Sequence, residues 1–191
     1  GVDTLRYFLM REVAFGQDGS YSPEAIVTRS NAELANSFGN LAQRTLSMIF
    51  KNMDGKLVSP DADDQDSDLE ASVRTNIASM TVSFENLAFS DGLEAWMRAV
   101  FACNQYVDEQ APWALRKTDP ERMTAVLMTL FRCVRDLAIA VRPVVPAASD
   151  ILLSQLGVPD DERDFASLED PEWFVRRLET GAALEKPEGV F

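Results

Sequence analysis

Histidine is absent from the 191 residues. Its absence removes serine triads, cysteine–histidine pairs, HExxH zinc sites and imidazole acid–base chemistry. Glycine-rich phosphate loops are missing too: the chain contains neither GxGxxG nor GxxxxGK followed by serine or threonine. Cysteine is scarce. Cys103 and Cys133 fall in different apolar helical stretches, which suits two buried thiols better than a disulfide, and two thiols alone make no metal site. No apolar run approaches the roughly eighteen residues of a membrane span. The opening residues, Val2 to Glu12, mix charged and apolar side chains at helical period, so no signal peptide is expected there. No paired acids share an apolar face. A self-sufficient enzyme working through carboxylates is therefore the weakest reading, and no catalysis by this chain alone is expected.

Basic residues are also outnumbered. Eighteen Lys and Arg face 31 Asp and Glu, for a net charge of −13. Nucleic-acid binding usually shows a basic face, and such a balance argues against it globally. The acid is unevenly placed, however. Asp54 to Glu70 sets Asp54, Asp61, Asp63, Asp64, Asp66, Asp68 and Glu70 against Lys56, and Asp160 to Glu172 is a second acidic block. Between Pro23 and Asn52 the charges nearly cancel, with Arg29, Arg44 and Lys51 against Glu24 and Glu33. A locally neutral or basic surface on an acidic protein is compatible with this. Hydrophobic content of 46% and charged content of 26% suit one sizeable globular domain.

The stretch Glu33 to Lys51 organises the rest. Leu34, Phe38, Leu41, Thr45, Met48 and Ile49 recur at helical spacing, which predicts one buried face. Beside it runs a polar stripe of Asn40, Arg44, Ser47 and Lys51, stacked one above the next on a helix. An amide and a guanidinium at i and i+4 suit two neighbouring flat ligands such as nucleobases. The same stripe also fits the solvated flank of an ordinary helix.

Around this stretch the helix signals are plain. Val2 to Glu12 reads as a short helix with Asp3 as N-cap, Leu5, Phe8 and Leu9 inward, and Arg6 and Arg11 outward. A glycine turn and a brief extended segment at Ser20 and Tyr21 follow. Ser22-Pro23-Glu24 opens a helix to about Asn31, and helical periodicity continues to Asn52 with no break that the residues locate. Asp54-Gly55 ends it, and Lys56 to Ser67 reads as an exposed acidic connector. Asp68 is expected to cap a helix reaching about Asn86. Ser90-Asp91 starts another, with Leu93, Trp96, Met97, Val100, Phe101 and Val107 inward and Asn104 among them, satisfied by backbone or a neighbour. That helix must stop at Ala111-Pro112, because proline disfavours helical geometry in the residue before it. Trp113, just past the end, either plugs the bundle or presents its ring to solvent, with Arg116 and Lys117 beside it. Aromatic plus cations suits a base stacked near phosphate. Asp119-Pro120-Glu121 opens the next helix, with Met123, Val126, Leu127, Leu130, Val134, Leu137 and Val141 as core, and Arg142-Pro143 closes it. Pro146 starts a helix that Gly157 terminates. In the tail, Trp173 and Phe174 are expected to pin the chain back onto the domain.

Two constellations carry a resemblance. Asp3 to Leu9, Arg11-Glu12, Phe15-Gly16-Gln17-Asp18-Gly19 and Asn36-x-x-Gly39-Asn40-Leu41 resemble, in order and spacing, the segment after the KMSKS loop of bacterial methionyl-tRNA synthetases. Asn104-x-Tyr106-Val107-Asp108-x-x-x-Pro112-Trp113 resembles that family's second signature, in its anticodon-binding bundle. The resemblance implies that Trp113 stacks on an anticodon base and that Asn40 and Arg44 hydrogen-bond to anticodon bases. It places Asp108 near the same surface, where a carboxylate would repel wrong RNAs. Arg116, Lys117 and Lys51 are candidate accessory RNA contacts.

The expected fold is all-α: about five main helices in an antiparallel bundle, with a small N-terminal αβ-type stem-contact appendage. Residues 1–35 would be the connector, and residues 36–191 the anticodon-binding bundle with its tail. The expected role is recognition of the CAU anticodon by the C-terminal part of a methionine–tRNA ligase. HIGH is absent, and the KMSKS lysines would precede Gly1. The whole enzyme would use ATP and Mg²⁺; this part would need no cofactor or metal. Expected partners are tRNA(Met) and the catalytic domain of the same chain, with no membrane and no DNA. A cytoplasmic monomer is expected. The alternative is an acidic helical protein-interaction module without RNA binding.

Overall fold

A computed structural model describes residues 1–13, 16, 22–60 and 64–190, with the side chains of residues 64 and 65 set aside. Its elements are α1 (Val2–Glu12), α2 (Pro23–Ser30), α3 (Asn40–Met53), α4 (Asp64–Glu85), α5 (Phe89–Gln110), α6 (Pro112–Thr118), α7 (Pro120–Val141), α8 (Pro146–Gln155) and α9 (Trp173–Glu179). A π-helical segment, Asn31–Gly39, joins α2 to α3 without a break. Among the described residues there is no strand, so the expected αβ-type appendage is helical in α1 and α2. The extended segment expected at Ser20 and Tyr21 lies outside the described residues, as does most of the Gly16 to Gly19 turn.

α7 is the axis. Its side chains are buried nearly all round, from Met123 through Leu127, Phe131 and Val134 to Val141, as expected of a helix wrapped by others rather than laid on a surface. Asp119 caps it by accepting from the Arg122 backbone N–H at 3.0 Å, with Pro120 at the first helical position. α4, α5, α3, α6 and α8 pack around it. Trp96 of α5 is fully buried and donates its Nε1–H to the Leu137 carbonyl at 3.0 Å. Phe38 of the π segment and Tyr7 of α1 meet the Trp96 ring edge-on, at 5.0 and 6.3 Å between centroids. The expected inner face of the organising helix holds: Leu34, Phe38, Leu41, Thr45 and Ile49 are buried and Met48 is half-buried.

Several local expectations are corrected. Asp3 does not cap its own helix; Oδ2 accepts from the Ala148 N–H at 2.8 Å and caps α8, one turn into that helix. Tyr7 and Phe8, not Leu5 and Leu9, face the core of α1. Arg11 points inward, pairing with Glu33 at 3.1 Å and with Glu94. Glu33 also accepts from the Tyr7 hydroxyl at 2.6 Å and from Arg29 at 3.1 Å, so one carboxylate ties α1, α2 and the π segment together. Burial, and then that carboxylate, push the Tyr7 hydroxyl well above its usual range. α4 begins at Asp64 rather than Asp68. Phe101 of α5 is exposed. Cys103 and Cys133 are both buried and free. The hydrogen bond with the neighbouring Cys103, and then burial, push the Cys133 thiol up.

The tail docks as expected. Trp173 stacks on Phe131 at 6.2 Å, and the Arg135 guanidinium lies 4.2 Å from the Trp173 ring centroid. Gly157, at φ +71°, ends α8 with a Schellman bond from the Val158 N–H to the Leu153 carbonyl at 2.9 Å. Farther on, Leu184 donates its N–H to the Gly55 carbonyl at 2.8 Å.

Candidate nucleic-acid interface

α3 presents Asn40 and Arg44 one turn apart, because the Leu41, Thr45 and Ile49 face is committed to the core. Asn40 is exposed; the Arg44 side chain is 32% exposed. From the other side comes the elbow between α5 and α7. Ala111 takes a left-handed conformation, φ 44°, and turns the chain out of α5 into α6. Trp113 follows Pro112 and is 51% exposed. The ring presents itself to solvent rather than plugging the bundle.

These elements meet. The guanidinium carbon of Arg44 lies 5.3 Å from the Trp113 ring centroid. Arg44 Nη2 also donates to Asp108 Oδ1 at 3.4 Å, and that carboxylate is 70% exposed. Arg44, Asp108 and Trp113 thus form one cluster, with Asn40 one turn below on the same stripe. The guanidinium lies over the half-exposed indole, so a base stacking there would displace it or take the other face of the ring, and either way would meet both planar groups. Arg116 and Lys117 are exposed three and four residues beyond Trp113 on α6, on the ring's side of that short helix. Lys51 is exposed two turns beyond Arg44. Among the described residues no hydrogen bond or ion pair joins these three cations to the cluster.

Neighbouring features were only partly legible in the residues alone. Asn104 Nδ2 donates to the carbonyls of Val100 and Ser37 at 3.1 and 3.3 Å. The asparagine is satisfied by backbone, as expected, and its second partner ties α5 to the π segment directly before Asn40. A groove of about 540 Å³ lies beside Asn40, lined by Asn36, Gly39 and Gln43 and by Gly189 and Val190 of the tail. The acidic connector also hides a core group. Asp66 is 3% exposed and meets Arg122 at 2.9 Å, which corrects the reading of that whole run as solvent-facing. Arg122, the third residue after Asp119, carried no signal of this pairing.

Two features are absent from the described residues. No group of three or more His, Cys, Asp or Glu is placed to hold a metal ion. No helix is long and apolar enough to cross a membrane.

Residues 59–191 match the family model for the anticodon binding domain of methionyl tRNA ligase. Residues 1–46 match that for class I tRNA synthetases of the methionine type. The methionine–tRNA ligase of Brucella suis is 45% identical over 192 residues, taking in 100% of this chain and 36% of that protein. That of Mycobacterium tuberculosis is 42% identical over 196 residues, taking in 100% of this chain and 37% of that protein. The crystal structure of apo methionyl-tRNA synthetase from Mycobacterium tuberculosis superposes with a TM-score of 0.90 at 41% identity, covering 100% of this chain and 38% of that one. The form bound by methionyl-adenylate matches equally well. The chain spans little more than a third of the length of these relatives. On sequence and on fold, the chain belongs to the family of the anticodon-binding domain of methionyl-tRNA ligase.

Proposed function

We propose that this chain reads the CAU anticodon of methionine tRNAs and does so as part of a methionine–tRNA ligase. The observation that carries the reading is the half-exposed Trp113 ring with the Arg44 guanidinium 5.3 Å from its centroid. Anticodon bases are single-stranded and can be splayed out of their stack. One base stacks on Trp113, a contact worth about 1–3 kcal/mol. Asn40 and Arg44 then pair with base edges. A wrong base leaves one of these groups unpaired, at a cost of roughly another 1–3 kcal/mol.

Asp108 adds contrast. Its exposed carboxylate holds Arg44 at 3.4 Å and repels RNA that does not engage Arg44 in its place. Lys51, Arg116 and Lys117 supply phosphate contacts at the margin. The acidic surface elsewhere, with a net charge of −13, weakens sequence-independent binding.

Aminoacylation itself belongs to the rest of such an enzyme. ATP and Mg²⁺ would act there, since this chain has no phosphate-cradling loop and its described residues no cluster of ligands for an ion. Residues 1–35 serve as the connector toward that catalytic part, and residues 36–191 as the recognition bundle. The protein works in the cytoplasm as a monomer. The test is binding of the chain to methionine tRNA and to the same tRNA with one anticodon base changed. Tight binding to the first only is expected. Equal or absent binding to both would favour an acidic protein-interaction bundle instead.

A further inference from the structure

One guanidinium spans the base of the elbow that carries Trp113. α5 stops at Gln110, Ala111 turns the chain, α6 carries the tryptophan, and α7 takes over at Pro120. From the first turn of α7, Arg122 reaches back across this excursion. Its Nε and Nη2 donate to Gln110 Oε1 at 3.3 and 2.9 Å. Its Nη1 and Nη2 donate to the two Asp66 oxygens at 2.9 and 3.0 Å. Tyr106 of α5 donates its hydroxyl to Asp66 Oδ1 and accepts from Arg122 Nη2 at 3.3 Å. Asp66 is 3% exposed and Tyr106 7%.

A guanidinium is a rigid fork. Acceptors that engage several of its N–H groups are held in fixed mutual directions. Here the acceptors belong to α4 and to the last two turns of α5, Tyr106 and the terminal Gln110, while the fork belongs to α7. The two ends of the elbow are thereby fixed to each other and to the bundle. The elbow needs this, because its turn residue is a non-glycine in the left-handed region, φ 44°, and because the Trp113 ring is half in solvent and is not oriented by packing alone.

Resting on the anticodon reading above, we infer that Arg122, with Gln110, Tyr106 and Asp66, is a positioning clamp that holds the Trp113 elbow in the pose on which a base stacks. None of the four touches the base. They act by ordering the platform before RNA arrives, so that binding does not bear that ordering cost.

Gln110→Ala is the decisive variant. It cuts the link between the guanidinium and the entry to the elbow and leaves the buried Asp66–Arg122 pair whole, so the fold survives. Gln110→Glu keeps an acceptor oxygen for Arg122. The 191-residue chain is labelled with 5-fluorotryptophan, its Trp113 resonance assigned by Trp113→Phe, and titrated with a CAU anticodon stem-loop. In Gln110→Ala the RNA-free Trp113 line is expected to broaden or split and the affinity to fall about tenfold, the effect of one ordinary polar contact left unmade. Melting temperature should stay near wild type, and Gln110→Glu should restore both line and affinity. A Gln110→Ala chain with the wild-type fluorine line would overturn the clamp. So would a loss of affinity that Gln110→Glu fails to restore. If the wild-type chain does not discriminate between stem-loops, the anticodon reading fails, and the fluorine line of the RNA-free protein still decides the clamp.

Discussion

Arg44 of α3 and Trp113 of α6 face each other with 5.3 Å between guanidinium carbon and ring centroid. A cation over an exposed ring contributes about 0.5–1 kcal/mol, and the Arg44–Asp108 ion pair, with the carboxylate 70% exposed, about 0–1 kcal/mol. Neither is large enough to explain why a bundle should hold these groups together. On the proposed anticodon reading, their value lies in what the pair offers to a third planar group.

Arg44 is therefore expected to separate stability from recognition. Arg44→Ala should change urea-denaturation stability by no more than about 1 kcal/mol, while anisotropy with a labelled CAU stem-loop shows a loss of about 1–3 kcal/mol in binding. Arg44→Lys keeps the charge and loses the planar fork, so it should recover little of that loss. Full recovery by lysine would show that only charge matters there. Asp108→Asn should leave the melt unchanged and tighten binding to stem-loops with a changed anticodon, narrowing the ratio between right and wrong RNA.

Two aspartates of the same acidic run should behave in opposite ways. Asp68 is exposed, and Asp68→Ala should stay within about 0.5 kcal/mol of wild type. Asp66 is buried against Arg122 and Tyr106. Asp66→Ala leaves a guanidinium without its counter-charge and should cost about 3–5 kcal/mol. Chemical denaturation of the two variants side by side checks this; equal small effects would mean the Asp66 network is not closed in solution.

The junction of α7 and α8 carries a small pH signal. Asp150 accepts from Arg142 at 2.7 Å, and this bond, helped by the nearby Arg163 charge, holds its carboxyl below the usual carboxylate range. A carboxylate with a depressed folded pKa stabilises the fold above its unfolded pKa, near 4, and loses that contribution as pH falls through the folded value. Asp150 is 40% exposed, so solvent screening keeps the effect under about 1 kcal/mol. Asp150→Asn should be less stable than wild type at pH 7, and the difference should shrink to nothing as pH falls through the depressed folded pKa. A difference that persists below it would have to come from packing.

What the residues revealed beforehand follows the physics of local signals. Asp119-Pro120, Ala111-Pro112 and Gly157 act on their own backbone, so they can be read without a partner, and the structure has each in its expected place. The Leu34 to Ile49 face was legible because its length averages out errors. α1 is only 11 residues, and its periodicity fitted two faces; the choice of Tyr7 over Leu5 is made by Trp96 and Glu33, which lie far along the chain. Asp66 looked like one more solvated acid because its partner, Arg122, is 56 residues away. The π segment leaves no compositional trace. It sits directly before Asn40, and its Ser37 carbonyl is taken by Asn104. For the site, residue type and order were readable, whereas the Arg44–Trp113–Asp108 convergence needed the helices in place.

The most direct test pairs two measurements on one variant. Trp113→Ala is assayed for binding to CAU and changed-anticodon stem-loops and for thermal melting. The expected result is loss of discrimination, with helicity and melting temperature close to wild type, because the ring is 51% exposed. A variant that still tells the two RNAs apart, or that melts far below wild type, would contradict the account.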